Sequence, residues 1–168
     1  MVSVLTLFGL DEMMARYASY ETLAEIIRHR FDKPKETLEE LFFRLVFNIL
    51  CGNTDDHARN HAAFWNGKTL HLTPAYDICP QGRAGNEASQ AMLISGGNRM
   101  SQLNSCIAAA HNFLLSPEEA RAIIEHQISV IKENWRLVCD EANLSQTGRA
   151  LFWRRQFLND FTFQGYRK

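Results

Sequence analysis

The sequence predicts a mainly α-helical domain with one or two small β-hairpins. Two patterns indicate this class. Apolar residues recur at helical spacing over most of the chain, and the turn-forming pairs Asn66-Gly67 and Gly96-Gly97 each follow a short apolar run. At 168 residues with 46% hydrophobic content, the chain is predicted to form a single domain over residues 1–168.

Composition excludes several classes of protein. Eighteen basic and nineteen acidic residues leave a net charge of −1, which gives no support for direct binding of nucleic acid or of an anionic membrane. Four cysteines without a CxxC pair argue against a zinc knuckle or a disulfide framework and favour a cytoplasmic location. The N-terminal apolar run is too short for a membrane span and lacks the basic start of a signal peptide, so we interpret it as core.

Two helices are predicted before the polar stretch described below. Ser19 is a typical N-cap for an amphipathic helix over residues 20–31. The run ETLEELFFRLVFNIL, residues 36–50, carries a broad apolar stripe that indicates a helix buried on most sides. Gly52 and Asn53 tolerate the left-handed conformation and should end this helix.

Turn signals dominate the middle of the chain. The segments HAAFW and KTLHLTP flank Asn66-Gly67, which predicts a hairpin with a two-residue type I′ turn. Residues 80–90 lack any period and are predicted to form a mobile loop. The segment AMLIS before Gly96-Gly97 indicates a second hairpin.

Helical signals return from Ser101 onward. SQLNSCIAAAHNF is predicted to be helical, and Ser116 followed by Pro117 and two glutamates is typical of a capped helix start. The helix it opens should reach about residue 142, with Trp135, Val138 and Cys139 on the later part of its buried face. A last helix is predicted over residues 146–161.

The polar stretch 48–77 carries the candidate chemistry, with three Asp, three His and four Asn in thirty residues. Asp55 and Asn60 are five positions apart, and Asp77 follows seventeen residues later, beyond the hairpin. Phosphoryl transfer needs a carboxylate to orient and deprotonate the attacking hydroxyl and oxygen ligands for magnesium. Protein kinases have a catalytic Asp, an Asn in the same loop and a later metal-binding Asp, in this order. The return strand of the hairpin could bring Asp77 back beside the loop.

GNTDDHARNH followed by LTPAYDI resembles the HipA family, bacterial serine/threonine kinases that act as toxins of toxin-antitoxin modules and have a protein-kinase-like fold. The likeness covers about residues 5–160 and corresponds to most of the family's C-terminal lobe. It implies that Asp55 is the catalytic base and that Asn60 and Asp77 bind the magnesium of Mg²⁺-ATP. It implies that His57 contacts phosphate or braces the loop.

The resemblance also implies a protein substrate and an antitoxin partner. Conventional kinases need a glycine-rich loop and a strand lysine before the catalytic loop. The only glycines among the 54 residues before Asp55 are Gly9 and Gly52, so no glycine-rich loop is present there. The chain is therefore expected to be a truncated kinase without its N-terminal lobe, and inactive alone. The segment VLTLFGL is expected to expose an apolar face, which predicts self-association.

Three alternatives stay open at this point. One is a catalytically silent module that binds a protein partner, and another is one half of a split kinase whose nucleotide lobe is a separate chain. The third is a zinc hydrolase, since His57 and His61 are four residues apart, although Ala58 stands where the HExxH pattern has Glu. Asp56 is interpreted as a solvated or loop-capping carboxylate, and Cys51 and Cys79 as buried apolar residues.

Overall fold

Helices make up most of the regular structure in residues 1–82 and 85–166, the part of the chain that the computed structural model describes. The predicted class, mainly α with a small β component, is confirmed. The α-helices are α1 Val4–Leu7, α2 Tyr20–Arg30, α3 Pro34–Cys51, α4 Leu103–Ala109, α5 Pro117–Glu141 and α6 Gln146–Phe152. Short 3-10 segments cover Ala15–Tyr17, Ala110–Phe113 and Asp160–Phe163. The strands β1 Val2–Ser3, β2 Ala62–Trp65 and β3 Leu70–Leu72 form one antiparallel sheet in the order β1-β2-β3.

Helix α3 is the central element of the core. It packs against α2, α4 and α5, and its predicted apolar stripe is fully buried. Phe42 on this helix contacts Phe113 edge to face, with the ring centroids 5.2 Å apart. A buried helix of this kind is a rigid support, so the loop that follows Cys51 starts from a fixed position.

Helix α2 begins as the sequence predicts. The Ser19 side chain accepts a hydrogen bond from the Thr22 amide, which satisfies one of the free N–H groups at the helix start. The buried face of α2 includes Tyr20, whose side chain is completely enclosed. Tyr20 thereby places a hydroxyl group in the interior of the domain.

The first hairpin is confirmed, but its predicted turn is wrong. Trp65 pairs with Leu70, so the loop contains the four residues 66–69 instead of two. The Asn66 side chain accepts hydrogen bonds from the amides of Lys68 and Thr69, both 2.9 Å long. Together with a backbone hydrogen bond of 3.3 Å from the Asn66 amide to the Thr69 carbonyl, these bonds close the loop around Gly67 and Lys68 instead of Asn66 and Gly67.

The second hairpin is present only as isolated bridges. Ser95 pairs with Asn98 around Gly96-Gly97, and Ser89 pairs with Met100. No strand is assigned to residues 85–100. Of the predicted loop 80–90, Arg83 and Ala84 lie outside the described residues.

The C-terminal half contains two confirmed helices, α4 within the predicted segment 101–113 and α5, and two corrections. Ser116 and Glu119 form the full capping box of α5. Val138, predicted to be buried, is 54% exposed. The predicted helix 146–161 ends at Phe152, because Arg154 and Leu158 adopt positive φ angles of 62° and 51° that no α-helix can contain.

The N-terminal segment is mostly packed against the core. Val4 is completely buried, and Leu5, Leu7, Phe8 and Leu10 are half-buried. The prediction of an exposed apolar face at VLTLFGL is therefore wrong, and the interpretation of this segment as core is confirmed. Val4 donates a backbone hydrogen bond of 2.8 Å to the His61 carbonyl, so the segment also supports the loop that precedes β2.

Gly52 joins the end of α3 to the C-terminal segment. It has a φ of +75°, and a Cβ atom at this position would lie 2.7 Å from the Gln156 carbonyl oxygen. The segment is held there by a hydrogen bond of 2.8 Å from the Leu158 amide to the Leu50 carbonyl. Two backbones therefore meet at a position that only glycine can occupy without strain.

Gly52→Ala is expected to lower the free energy of unfolding by about 2–4 kcal/mol, because a left-handed alanine is strained and its Cβ displaces backbone. Urea unfolding measures this loss. Gly67→Ala is the matched control, since Gly67 has a φ of +98° and nothing within 4 Å of an added Cβ. Equal losses in the two variants would contradict the close approach of residue 156.

Candidate functional site

The end of α3 leads directly into the loop that carries the candidate residues. Asn53, 1% exposed, donates through Nδ2 to the Asn48 side-chain oxygen at 3.0 Å and to the Asp77 carbonyl oxygen at 3.4 Å. Asn48 itself lies on α3 and is also buried. One amide side chain therefore ties the helix, the loop and the segment after β3 together.

Asp55 and Asn60 lie close together in this loop. The Asn60 side chain is 7% exposed and donates through Nδ2 to the Asp55 carbonyl oxygen at 3.2 Å. The Asp55 side chain is exposed, and its carboxylate forms no hydrogen bond or ion pair with residues 1–82 or 85–166. A free carboxylate thus stands beside a fixed carboxamide.

Asp77 reaches the same region by way of the hairpin. Its carbonyl oxygen contacts Asn53, and the preceding Tyr76 donates its hydroxyl to the Arg59 carbonyl at 2.5 Å. Asp77 has a φ of 57°, which is uncommon for a residue with a side chain and marks a backbone held by its surroundings. Burial, followed by the charge of Asp77, raises the pKa of the Tyr76 hydroxyl. The segment after β3 that carries Tyr76 and Asp77 therefore lies against the loop that carries Asp55, as expected from the predicted hairpin.

His57 is half-buried and has other neighbours than Asn60 and Asp77. Its Nδ1 is buried and has no hydrogen-bond partner within the described part of the chain. Its side chain lines a pocket of about 180 Å³ together with Arg16 and Arg59. Its predicted role, contact with phosphate or support of the loop, stays a prediction.

A buried polar cluster beneath the loop was missed by the sequence analysis. Asp56 is 1% exposed and accepts hydrogen bonds from the Tyr20 hydroxyl and, at 2.9 Å, from His61 Nε2. The interpretation of Asp56 as a solvated or loop-capping carboxylate is therefore wrong. The adjacent pair Asp55 and Asp56 carries no local signal that tells which of the two carboxylates faces inward.

Burial and the neighbouring carboxylate keep the Tyr20 hydroxyl of this cluster protonated. Burial, followed by the negative charge of Asp56, raises the pKa of the Tyr20 hydroxyl well above its usual value. Tyr20 therefore stays protonated and donates to the carboxylate. A proton is assigned to His61 Nε2, because the Asp56 oxygen that it contacts is an acceptor, and the same nitrogen lies 3.4 Å from the tyrosine oxygen.

The histidine pair does not assemble a zinc site. His61 is engaged with Asp56, while His57 lines the pocket beside Arg16. Within residues 1–82 and 85–166, no group of three or more His, Cys, Asp or Glu side chains is placed to hold a metal ion.

The two cysteines that flank the site differ in burial. Cys51 is buried as predicted, and burial raises the pKa of its thiol to about 12. Cys79 is exposed, so the prediction that it is buried is wrong. All four cysteines are free.

Comparison with known families identifies one match. Residues 1–135 match the family model described as the HipA-like C-terminal domain. This matched range includes the whole of the stretch 48–77. Comparison with curated proteins finds no match. Among the described residues, no helix has the length and apolar character needed to cross a membrane.

Proposed function

The chain belongs to the HipA-like C-terminal domain family, and from this membership we propose that it is the catalytic lobe of a serine/threonine protein kinase. The proposed fold is that of a protein-kinase C-lobe. The proposed reaction transfers the γ-phosphoryl group of ATP to a hydroxyl group of a protein acceptor. Family membership supports kinase-related and toxin-antitoxin roles in general, and the chemistry of the loop supports the specific reaction.

The observation that carries the proposal is the joint anchoring of the three motif residues. Asn60 bonds to the backbone of Asp55, and Asn53 bonds to the backbone of Asp77. Asp55 and Asp77, which are far apart in sequence, are thereby both bonded to the loop that follows α3. Catalysis of phosphoryl transfer depends mainly on such positioning.

The oxygen atoms at this site suit magnesium. The carboxylates of Asp55 and Asp77 and the Asn60 Oδ1 atom accept no hydrogen bond from the residues that the structure describes. Magnesium prefers oxygen ligands and is commonly held by one or two carboxylates together with substrate phosphates. Asn60 and Asp77 would hold the ion, which when bound with ATP neutralises charge on the phosphates.

Asp55 has the properties of the base in this proposal. Its exposed carboxylate can approach a hydroxyl of the acceptor, and one of its oxygen atoms takes the hydroxyl proton. The buried Asp56 cannot do so, since both of its oxygens are engaged by Tyr20 and His61. His57 completes the proposed nucleotide-contacting set. Besides the acceptor, the proposed partners are an antitoxin and a nucleotide-binding lobe, in the cytoplasm.

The 168-residue chain is expected to bind Mg²⁺-ATP weakly or not at all in calorimetric titration. Only Asn60 and Asp77, acting through magnesium, and His57 would contact the nucleotide. The 54 residues before Asp55 contain neither a recognisable glycine-rich loop nor the strand lysine that accompanies it. A nucleotide-binding lobe of a HipA-like protein, fused ahead of Met1 or added as a second chain, should produce transfer of labelled phosphate to protein. Phosphate transfer by the 168 residues alone would contradict the proposal that a separate lobe is needed to bind the nucleotide. An assembly that binds ATP yet phosphorylates neither itself nor any protein offered would favour the silent interaction module.

A further inference from the structure

Arg44 is a charged residue on the buried face of α3. It is 8% exposed. Within Pro34–Cys51, which the structure describes in full, it is the only charged residue that is buried. A buried guanidinium group is costly unless its N–H groups find acceptors, so the contacts of Arg44 indicate what the charge is used for.

These contacts join α3 to the segment that leads to Asp77. Arg44 Nη2 donates to the Thr73 carbonyl oxygen at 2.7 Å, and Nε pairs with Glu40, one helical turn earlier, at 2.8 Å. Thr73 is the first residue after β3 and lies four positions before Asp77. The bond from Arg44 therefore attaches the start of the segment 73–77 to the central helix of the core.

The Arg44 side chain also adjoins the surroundings of both proposed magnesium ligands. It lines a cavity of about 10 Å³ together with Asn60, Tyr76 and Ile78, and the last two flank Asp77 in the chain. Burial and the charge of Asp77 raise the pKa of the Tyr76 hydroxyl, and the positive charge of Arg44 opposes them. One guanidinium group thus lies between the Asn60 loop and the Asp77 segment.

Other side-chain bonds to this segment are neutral and involve loop residues. Asn53 reaches the Asp77 carbonyl at 3.4 Å, and the Tyr76 hydroxyl donates to the Arg59 carbonyl at 2.5 Å. The bond from Arg44 starts from a helix and has a charged donor, and such hydrogen bonds are roughly twice as strong as neutral ones. Its loss should therefore free the segment from the core.

We propose that Arg44 is a positioning residue of the candidate site, which sets the place of Asp77 relative to Asn60 by holding the Thr73 carbonyl. The inference rests on the proposed function, since it concerns the spacing of two ligands of one magnesium ion. Magnesium demands near-ideal octahedral geometry, so displacement of one ligand lowers its affinity. Arg44 acts through Asp77 and takes no part in the proton transfer to Asp55.

The first test measures amide hydrogen exchange in the ¹⁵N-labelled 168-residue chain by NMR. Arg44→Met removes the guanidinium group and keeps a long apolar side chain on α3. The Thr73 amide, which donates to the Ala62 carbonyl at 3.0 Å, should exchange roughly tenfold faster, because the neighbouring carbonyl has lost a charged donor. Amides within α5 should keep their exchange rates, since a local opening of the segment does not involve that helix.

The second test measures magnesium dependence in an assembly that contains a nucleotide-binding lobe. Arg44→Met should raise the Mg²⁺ concentration for half-maximal phosphate transfer by roughly five- to tenfold, with a smaller effect on the rate at saturating Mg²⁺. A variant that had only lost stability would instead transfer more slowly at every Mg²⁺ concentration, with the half-maximal concentration unchanged.

Arg28→Met is the matched control, because Arg28 makes the same two kinds of contact elsewhere. It pairs with Glu25 on its own helix, α2, and donates to the Asn112 carbonyl at 2.6 Å. This variant should leave both Thr73 exchange and magnesium dependence unchanged.

Arg44→Lys keeps the charge and one donor group, so it should give intermediate values, and it replaces Arg44→Met if that variant does not fold. Unchanged Thr73 exchange in the Arg44 variants would overturn the inference. An equal rise in Arg28→Met, or an equal rise at the α5 amides, would also overturn it.

The outcome is separable from that of the proposed function. Faster exchange at Thr73 alone, in a chain whose two-lobe assembly transfers no phosphate, would retain the link between Arg44 and the Asp77 segment and reject the kinase proposal. Asp55-dependent transfer with unchanged magnesium dependence in Arg44→Met would retain the kinase and reject Arg44 as a positioning residue.

Discussion

Asp55→Asn is expected to lower phosphoryl transfer by roughly two to four orders of magnitude in an assembly that contains a nucleotide-binding lobe. Asparagine has nearly the same size and keeps the loop conformation, but its amide cannot take a proton from the acceptor hydroxyl. The loss should appear in kcat, because the base acts in the transition state and contributes little to the binding of ATP.

Stability measurements can separate this loss from unfolding. The Asp55 side chain is exposed and its carboxylate has no partner in the described residues, so its replacement should change the unfolding free energy by no more than about 0.5 kcal/mol. Glu87→Gln removes one exposed charge elsewhere and should leave transfer intact. Transfer at the original rate by Asp55→Asn would exclude Asp55 as the base.

The elements that sequence analysis predicted well are those with local signals. The Ser19 and Ser116 caps and the apolar stripe of α3 are encoded within a few residues. Helices α2 and α5 start where the caps place them, whereas α3 starts at Pro34, two residues before the predicted run. Strand β1 has only two residues and exists because β2 lies beside it, so no local pattern could reveal it. The resemblance of GNTDDHARNH and LTPAYDI to the HipA family is confirmed by the family match.

Failures arose where distant residues decide the conformation. The helix predicted for 146–161 stops early because the chain turns to pack on other elements, with Trp153 and Phe157 both against Trp135 on α5. Asp56 was misinterpreted for the same reason, since its partner Tyr20 is 36 residues away. The spacing of Asp55, Asn60 and Asp77 was visible in the sequence, whereas the support beneath them depends on tertiary contacts.

The buried cluster of Asp56, Tyr20 and His61 is predicted to contribute strongly to the stability of the domain. Asp56→Ala should lower the free energy of unfolding by about 3–5 kcal/mol, because it leaves the Tyr20 hydroxyl and the His61 ring buried without their acceptor. Tyr20→Phe alone should cost less, about 1–2 kcal/mol, since Asp56 then keeps the bond from His61. Urea unfolding of purified variants provides the measurement.

A double-mutant cycle tests whether the two groups act as a unit. Asp56→Ala combined with Tyr20→Phe should lose less than the sum of the single losses, because the double variant has no tyrosine hydroxyl left unpaired. Asp55→Ala is the matched control, as the adjacent aspartate has an exposed side chain and should have little effect on unfolding. If Asp56→Ala lost no more stability than Asp55→Ala, the buried carboxylate could not be what supports the loop. The position of the loop would then have to depend on contacts other than the bonds that Tyr20 and His61 make to Asp56.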